Sequence, residues 1–205
     1  MKALYDRHVR PRLINLACGM TPVTRQREKV VPAAEGTVLE VGIGSGLNLP
    51  HYDPARVDRV IGVEPDDHIW KLSRRRRQGL GFPVERVGLP GEAIPLDDAS
   101  VDTVVVTYSL CTIPDALVAL RQMRRVLKPG GRMLFLEHGE APDAGVKRWQ
   151  DRIQPVWGPI AGGCHLGRPI PEMIREAGFA IEDMQTAYLP GPRPMTFNYW
   201  GSARP

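Results

Sequence analysis

Thr37-Val38-Leu39-Glu40-Val41 runs directly into Gly42-Ile43-Gly44-Ser45-Gly46 and then Leu47-Asn48. The first five residues read as a buried strand, a short apolar run interrupted by one carboxylate, Glu40. Three glycines at alternate positions follow, and such a turn can take left-handed dihedrals and approach a ligand closely. A strand, a glycine turn and a helix open the nucleotide-binding half of a doubly wound α/β fold. A dinucleotide fingerprint would place its third glycine at position 47, which is Leu47. That departure speaks against a nicotinamide-dependent oxidoreductase. A plain tight turn is the competing reading, and the rest of the chain decides between them.

Working outward, Val57–Glu64 is a second buried strand that ends on a carboxylate eighteen positions beyond Gly46. Asp66 and Asp67 start a helix, since acidic groups favour a helix N-terminus. It is expected to pass through Ile69, Trp70 and Leu72 into Arg74–Arg77 and to stop at Gly79 and Gly81. Pro83–Val87 is a third strand, followed by a loop with Gly91, Glu92 and Ala93. Ser100–Tyr108, rich in valine, is a fourth. Ala116–Leu127 is an amphipathic helix with Leu117, Leu120, Met123 and Leu127 at helical spacing. Lys128–Gly131 ends it, and Arg132–Glu137 is a fifth strand. The long connection 139–171 reads as an irregular lid. Pro171–Gly178 is a helix, and Ala180–Leu189 with Met195–Ser202 form a hairpin around Pro190–Pro194. The pattern predicts one α/β domain, a doubly wound, mostly parallel seven-stranded sheet with an antiparallel edge hairpin. Residues 1–36 form a helical cap broken at Pro11 and Pro22. Leu4, Tyr5, His8, Leu13, Ile14 and Leu16 give it an apolar face, laid across either the ligand mouth or the sheet edge.

The chain has 205 residues, 42% hydrophobic and 24% charged, with a net charge of +4. These values fit a globular domain with a full-sized core and exclude a disordered chain. The dense basic run, Lys71 with Arg74, Arg75, Arg76 and Arg77, reads as a solvated helix face or a peripheral contact with an anionic membrane. No aromatic residues interleave with it, so nucleic acid is not an expected partner. Met1–Arg10 shows no signal peptide, and the apolar run Val104–Pro114 is too short to cross a bilayer. A cytoplasmic location is the expectation. Three cysteines make no disulfide framework. Cys111, Cys164, His138 and His165 lack the spacing that marks zinc sites, so no metal is expected.

Ligands of open α/β sheets bind outside the carboxyl ends of the strands. Four such ends carry chemistry here: the glycine turn, Glu64, Gly91-Glu92-Ala93 and Tyr108-Ser109-Leu110-Cys111. A carboxylate at Glu64 can accept both hydroxyls of a ribose.

Taken together these residues resemble the class I S-adenosylmethionine-dependent methyltransferases. Glu40–Gly46 is similar to the first motif of that family and Val60–Glu64 to its second. Pro95–Val106 resembles its acid-rich turn and fourth strand, and Leu127–Leu136 its fifth strand. The resemblance implies S-adenosylmethionine as cofactor, held by the backbone at Gly42, Gly44 and Gly46. It places Glu40 near the methionine amino group, Glu64 on the ribose, and Glu92 and Ala93 near the adenine. Ser45, Asn48, Pro65 and Ser109 complete the implied cofactor set.

A finer resemblance joins Tyr108–Cys111, Glu137-His138, Trp149–Trp157 and Gly163-Cys164 to small methyltransferases that alkylate thiols. Those are close to bacterial phospholipid N-methyltransferases. Animal members carry an apolar amino-terminal anchor not seen in this sequence, which weighs against a lipid role. The implied activity is methyl transfer to a small, partly apolar acceptor, a thiol first, an amine or phospholipid second. A cofactor-binding partner without catalysis is a further alternative. The thiolate is the reacting form of a thiol, so a base is needed. His138, directly after strand five, is the first candidate; His165 beside Cys164 and Tyr108 at the end of strand four are the others. Trp149 and Trp157 share roughly one helical face, as core or as an apolar substrate wall.

Overall fold

The computed structural model describes Tyr5 and residues 9–205. Among them, seven strands form one sheet: β1 (Gly36–Val41), β2 (Val57–Val63), β3 (Val84–Val87), β4 (Val101–Thr107), β5 (Leu127–His138), β6 (Ala180–Tyr188) and β7 (Phe197–Arg204). Their order is β3-β2-β1-β4-β5-β7-β6. The first five pair in parallel, while β7 lies antiparallel between β5 and β6. This is the doubly wound, mostly parallel seven-stranded sheet expected from the sequence, with its antiparallel edge pair.

Strand periodicity builds the two layers. Successive side chains point to opposite faces, so Val104 and Val106 enter one apolar cluster while Val105 enters the other. The helix α4 (Ala116–Val126) covers the first face with Ala119, Leu120, Met123 and Val126, all fully buried. The carboxylate of Asp115 caps it by accepting the Val118 N–H at 3.0 Å. The chain runs outward from β1 to β3 and then returns to the other side of β1. That reversal leaves a crevice at the carboxyl ends of β1 and β4.

Two helices precede β1, α1 (Arg10–Cys18) and α2 (Thr21–Val30). Pro11 and Pro22 sit in their first turns, where a missing N–H costs nothing, so the prolines begin these helices. The apolar face expected of α1 is not buried: Leu13 and Leu16 are 49% and 69% exposed. Ile14 instead faces the crevice, which places this segment at the ligand mouth. Leu4 and His8 lie outside the described residues.

Three local expectations are corrected. Helix α3 (Asp67–Leu72) does not continue through the arginine run. The Ser73 hydroxyl turns back onto Trp70 O at 2.7 Å, and the residues after it coil. Arg76 then reaches Ser45 O at 2.9 Å, and the Arg77 guanidinium lies 4.2 Å from the Trp70 ring centre. Only Arg74 and Arg75 of the four remain exposed, so the continuous basic face is absent.

Residues 139–171, expected to be irregular apart from the helical face of Trp149 and Trp157, contain the seventeen-residue helix α5 (Ala144–Ile160), which runs on through Pro155 and Pro159. Trp149 on it is 56% exposed, while Trp157 packs inward beside Cys111, Cys164 and Leu166. The helix α6 (Ile170–Glu176) follows it, and a single turn, α7 (Arg193–Thr196), sits within the edge hairpin. Lastly, Lys128–Gly131 does not precede β5 but bulges within it, where pairing jumps from Val101–Leu127 to Thr103–Arg132. Among the described residues no helix is long and apolar enough to cross a membrane.

Gln150 ties α5 to the segments around it. Its Nε2 lies 3.0 Å from each of Gly139 O, Leu166 O and Pro194 O, three acceptors for its two N–H groups, and its Oε1 accepts the Ala141 N–H at 3.0 Å. Gln150→Leu removes the partner of these backbone groups and is expected to lower stability by roughly 2–4 kcal/mol. Thermal denaturation reads this directly, and an unchanged midpoint would contradict the anchoring role.

Candidate active site

The crevice is a cavity of about 290 Å³ at the carboxyl ends of β1, β2 and β4, closed on one side by α1. Its floor is the glycine turn. The N–H groups of Gly42 and Ile43 both donate to Val63 O, at 2.9 and 3.2 Å, which fastens the turn to the end of β2. Gly42 has φ +77°, and a Cβ there would stand 2.1 Å from Ser109 Oγ. Gly46, at φ +75°, would drive a Cβ to 2.7 Å from Leu49 Cδ1. Gly44 differs. Its Cβ would meet only Ile69 at 3.6 Å, Gly42 O at 3.7 Å and Glu64 Oε2 at 3.9 Å, in the space a ligand would use.

Behind the turn lies a buried polar network. Glu40, 2% exposed, accepts from Asn48 Nδ2 at 2.9 Å and from the Tyr52 hydroxyl at 2.7 Å. Burial raises its carboxyl to about 7, against the pull of those bonds and of Arg27. Arg27, from α2, donates through Nη1 to Asn48 Oδ1 at 2.6 Å and Thr107 Oγ1 at 2.7 Å. Its guanidinium lies 5.2 Å from the Tyr108 ring centre, and its buried Nε has no partner.

The remaining wall carries most of the residues singled out from the sequence. Glu64 lines it, accepting the Asp66 N–H at 2.7 Å, and burial raises its carboxyl. Glu92 accepts the Asp115 N–H at 3.1 Å through one oxygen, and the other is buried without a partner. Ser45, Asn48, Pro65, Tyr108 and Ser109 also line the cavity. Gly46 and Ala93 are not part of its wall; on the side expected to take the adenine, Pro90, Gly91 and Glu92 form it. Tyr108 holds the left-handed φ of +51°, uncommon for a bulky residue, and donates its hydroxyl to Asn198 Oδ1 at 2.7 Å.

The histidines stand elsewhere. His138 does not line the cavity. It lies against Tyr108, the rings stacked at 6.4 Å and 22°, with Nε2 3.2 Å from Cys164 Sγ. Burial opposes a charge on His138 most strongly, but the bond to Cys164 together with the negative charge of Cys164 and Glu137 raises its pKa. The Cys111 thiol donates to Tyr108 O at 3.7 Å, and its proximity to Cys164 pushes Cys111 up and draws Cys164 down. His165 is exposed, and only its backbone N–H is engaged, with Cys111 O at 2.8 Å. The neighbour of His138, Glu137, is fully buried and accepts the N–H groups of Ser109 and Leu110 at 2.8 and 3.1 Å.

Two features test the fit of S-adenosylmethionine to these residues. The space over Gly44 admits a ligand where any side chain would intrude. The two partnerless polar atoms on wall residues, Arg27 Nε and Glu92 Oε2, are a donor and an acceptor. The methionine carboxylate would satisfy the first and the adenine amino group the second. Glu64 would hold the ribose and Glu40 would face the methionine ammonium.

A sheet of this order with a nucleoside-sized cavity at its switch point defines a Rossmann-like methyltransferase fold. Residues 39–135 match the family model described as a methyltransferase domain. The thiol S-methyltransferase TMT1B of Rattus norvegicus is 35% identical over 162 residues, 77% of this chain and 65% of its own. Its Homo sapiens counterpart is 35% identical over 163 residues, 77% of this chain and 66% of its own. The chain therefore spans just under two thirds of the length of these relatives. A solved S-adenosylmethionine-dependent methyltransferase from Thermotoga maritima superposes with a TM-score of 0.67 at 20% identity, over 98% of each chain. Residues 39–135 thus form a methyltransferase domain on the fold of solved S-adenosylmethionine-dependent methyltransferases, and the cofactor this points to is S-adenosylmethionine.

Sequence reading missed Arg27, Tyr52 and Thr107. Arg27 lies in Thr24-Arg25-Gln26-Arg27-Glu28-Lys29, where nothing separates a buried arginine from its solvated neighbours. Cys18 and Asn15, also on the wall, carry no motif.

Two outcomes follow from this geometry. Gly44→Val adds left-handed strain of about 1–2 kcal/mol but keeps the fold, and it is expected to abolish S-adenosylmethionine binding in calorimetry. Normal affinity would refute the placement. Glu40, raised to about 7, is mostly charged at pH 8 and mostly protonated at pH 6. Cofactor affinity should therefore fall roughly tenfold over that range, and Glu40→Gln should flatten the profile. An unchanged profile in that variant would show that another group titrates.

Proposed function

We propose that this chain transfers the methyl group of S-adenosylmethionine to the sulfur of a small, partly apolar thiol. The observation that carries the proposal is the extent of the likeness to thiol S-methyltransferases. It covers 77% of the chain at 35% identity, well beyond the 39–135 segment of the general methyltransferase domain. The likeness thus reaches residues outside the general methyltransferase domain.

The charge of the wall agrees with a thiol. Its carboxylates are Glu40, Glu64, Asp66 and Glu92; the assignment above gives three of them to the cofactor, and Asp66 pairs with Arg10 at 3.6 Å. Beside Tyr108 stands a cation, the Arg27 guanidinium, 5.2 Å from the ring centre. An ammonium-bearing acceptor would want a carboxylate there, whereas a thiolate gains from that positive charge.

Bound, S-adenosylmethionine supplies a sulfonium methyl that is already electrophilic. The work of the protein is to hold the acceptor in line, exclude water and favour the thiolate of a group whose free pKa is about 8.5. The strained backbone at Tyr108 fixes its ring between Arg27 and His138, forming a rigid edge against which an apolar acceptor can rest. Positioning of this kind supplies effective molarities of order 10⁵–10⁸ M.

The test is a radiolabelled methyl donor offered with alkyl and aryl thiols, small amines and phosphatidylethanolamine vesicles. Labelled thioethers are expected, with apolar thiols turned over faster than glutathione. Transfer to amines or lipid with none to thiols would overturn the proposal.

A further inference from the structure

Three chain segments distant in sequence end at one point behind the cavity. Cys111 follows β4, His138 closes β5, and Cys164 follows α5. One ligand atom from each, two sulfurs and an imidazole nitrogen, lie within 4.8 Å of one another. A tetrahedral zinc ion, with bonds of about 2.3 Å to sulfur and 2.0–2.1 Å to nitrogen, spaces such donors roughly 3.4–3.8 Å apart. The trio would need only small side-chain shifts to take one.

The surroundings are those of a metal site. Both cysteines are free thiols, 3% and 7% exposed, in an apolar cluster with Leu166, Ile153 and Trp157. The buried indole of Trp157 packs against Cys164, and its N–H makes no close hydrogen bond of its own, so it is placed to donate to a ligand sulfur. Backbone bonds hold the ligands in place: the His165 N–H donates to Cys111 O at 2.8 Å, and Gln154 Nε2 donates to Cys164 O at 3.0 Å. A disulfide would use only two of the three groups and leaves the convergence of His138 without a reason. Among the described residues no fourth His, Cys, Asp or Glu joins the group. Three protein ligands with an open position mark an exchangeable site, whereas structural zinc sites are closed by four.

We propose that Cys111, His138 and Cys164 hold one zinc ion whose fourth position takes an exchangeable thiolate. The location suits this: Thr112 beside Cys111, Gly162 near Cys164, and Tyr108 against His138 all line the cavity. A thiol entering that position loses its proton to water as the sulfur–zinc bond forms. The identity of that ligand as the methyl acceptor rests on the thiol reading above; the metal site itself does not.

The full chain is loaded with zinc, passed through gel filtration and assayed for metal; a second sample is loaded with cobalt for its absorption spectrum. One zinc per chain is expected, with thiolate-to-cobalt absorption and tetrahedral d–d bands. Cys111→Ser, Cys164→Ser and His138→Asn should each weaken zinc binding by at least about tenfold, while Cys18→Ser keeps it. An apolar thiol added to the cobalt protein should shift the visible bands. Zinc well below one equivalent in the wild-type chain, or a Cys111–Cys164 disulfide found in its place, would overturn the site. Tight zinc with unshifted cobalt bands would overturn the thiolate position. Thiol methylation by a zinc-free chain would overturn the metal's part while leaving the proposed function standing. Zinc binding with transfer to amines alone would sink the thiol reading and keep the metal.

Discussion

The contact between the backbone at Gly42 and the side chain of Ser109 governs this molecule. A single added carbon at Gly42 would stand 2.1 Å from Ser109 Oγ, a separation no folded chain tolerates. Because that carbon is missing, the ends of β1 and β4 can close together, and the turn can hang both its first N–H groups on Val63 O. The crevice, the acidic strand ends and the cap across the mouth all take their positions from that approach. Glycine at this point is a steric requirement as well as a conformational one, since its φ is also positive.

The second constraint is electrostatic. Glu40 and Arg27 are both almost wholly removed from water, and neither touches the other directly among the hydrogen bonds; Asn48 and Thr107 stand between them. Buried charge is costly unless its hydrogen bonds are completed. The partnerless Arg27 Nε shows that the network is incomplete without a ligand. A zwitterionic amino acid such as the methionine end of the cofactor offers a carboxylate and an ammonium, the complements of these two groups. The site is thus built to be finished by what it binds.

The sheet was legible in the sequence because its signals are local. Valine-rich runs, a carboxylate at the end of β2 and glycines at alternate positions each declare themselves within ten residues. The helix boundaries were less so. Arginine is a good helix former, and nothing local announces that Ser73 turns back on Trp70 or that Arg76 is drawn to Ser45. In α5, the extent of the helix depends on Gln150, whose side chain meets four backbone groups well apart in the chain. The cavity showed the same division. Glu40, Glu64, Glu92 and the turn could be named because each sits at a strand end, whereas Arg27 and the meeting of Cys111, His138 and Cys164 depend on tertiary closure. Spacing rules for metal ligands look along the sequence, and these three come from three different elements.

The central claim is that a sulfonium nucleoside lies over the glycine turn with its ribose on Glu64. A crystal structure with S-adenosylhomocysteine tests it most directly. The ribose hydroxyls should sit on Glu64, the adenine amino group on Glu92 and the carboxylate beside Arg27. A nucleoside bound away from the segment between Gly42 and Glu64, or a nicotinamide dinucleotide bound there in preference, would contradict it.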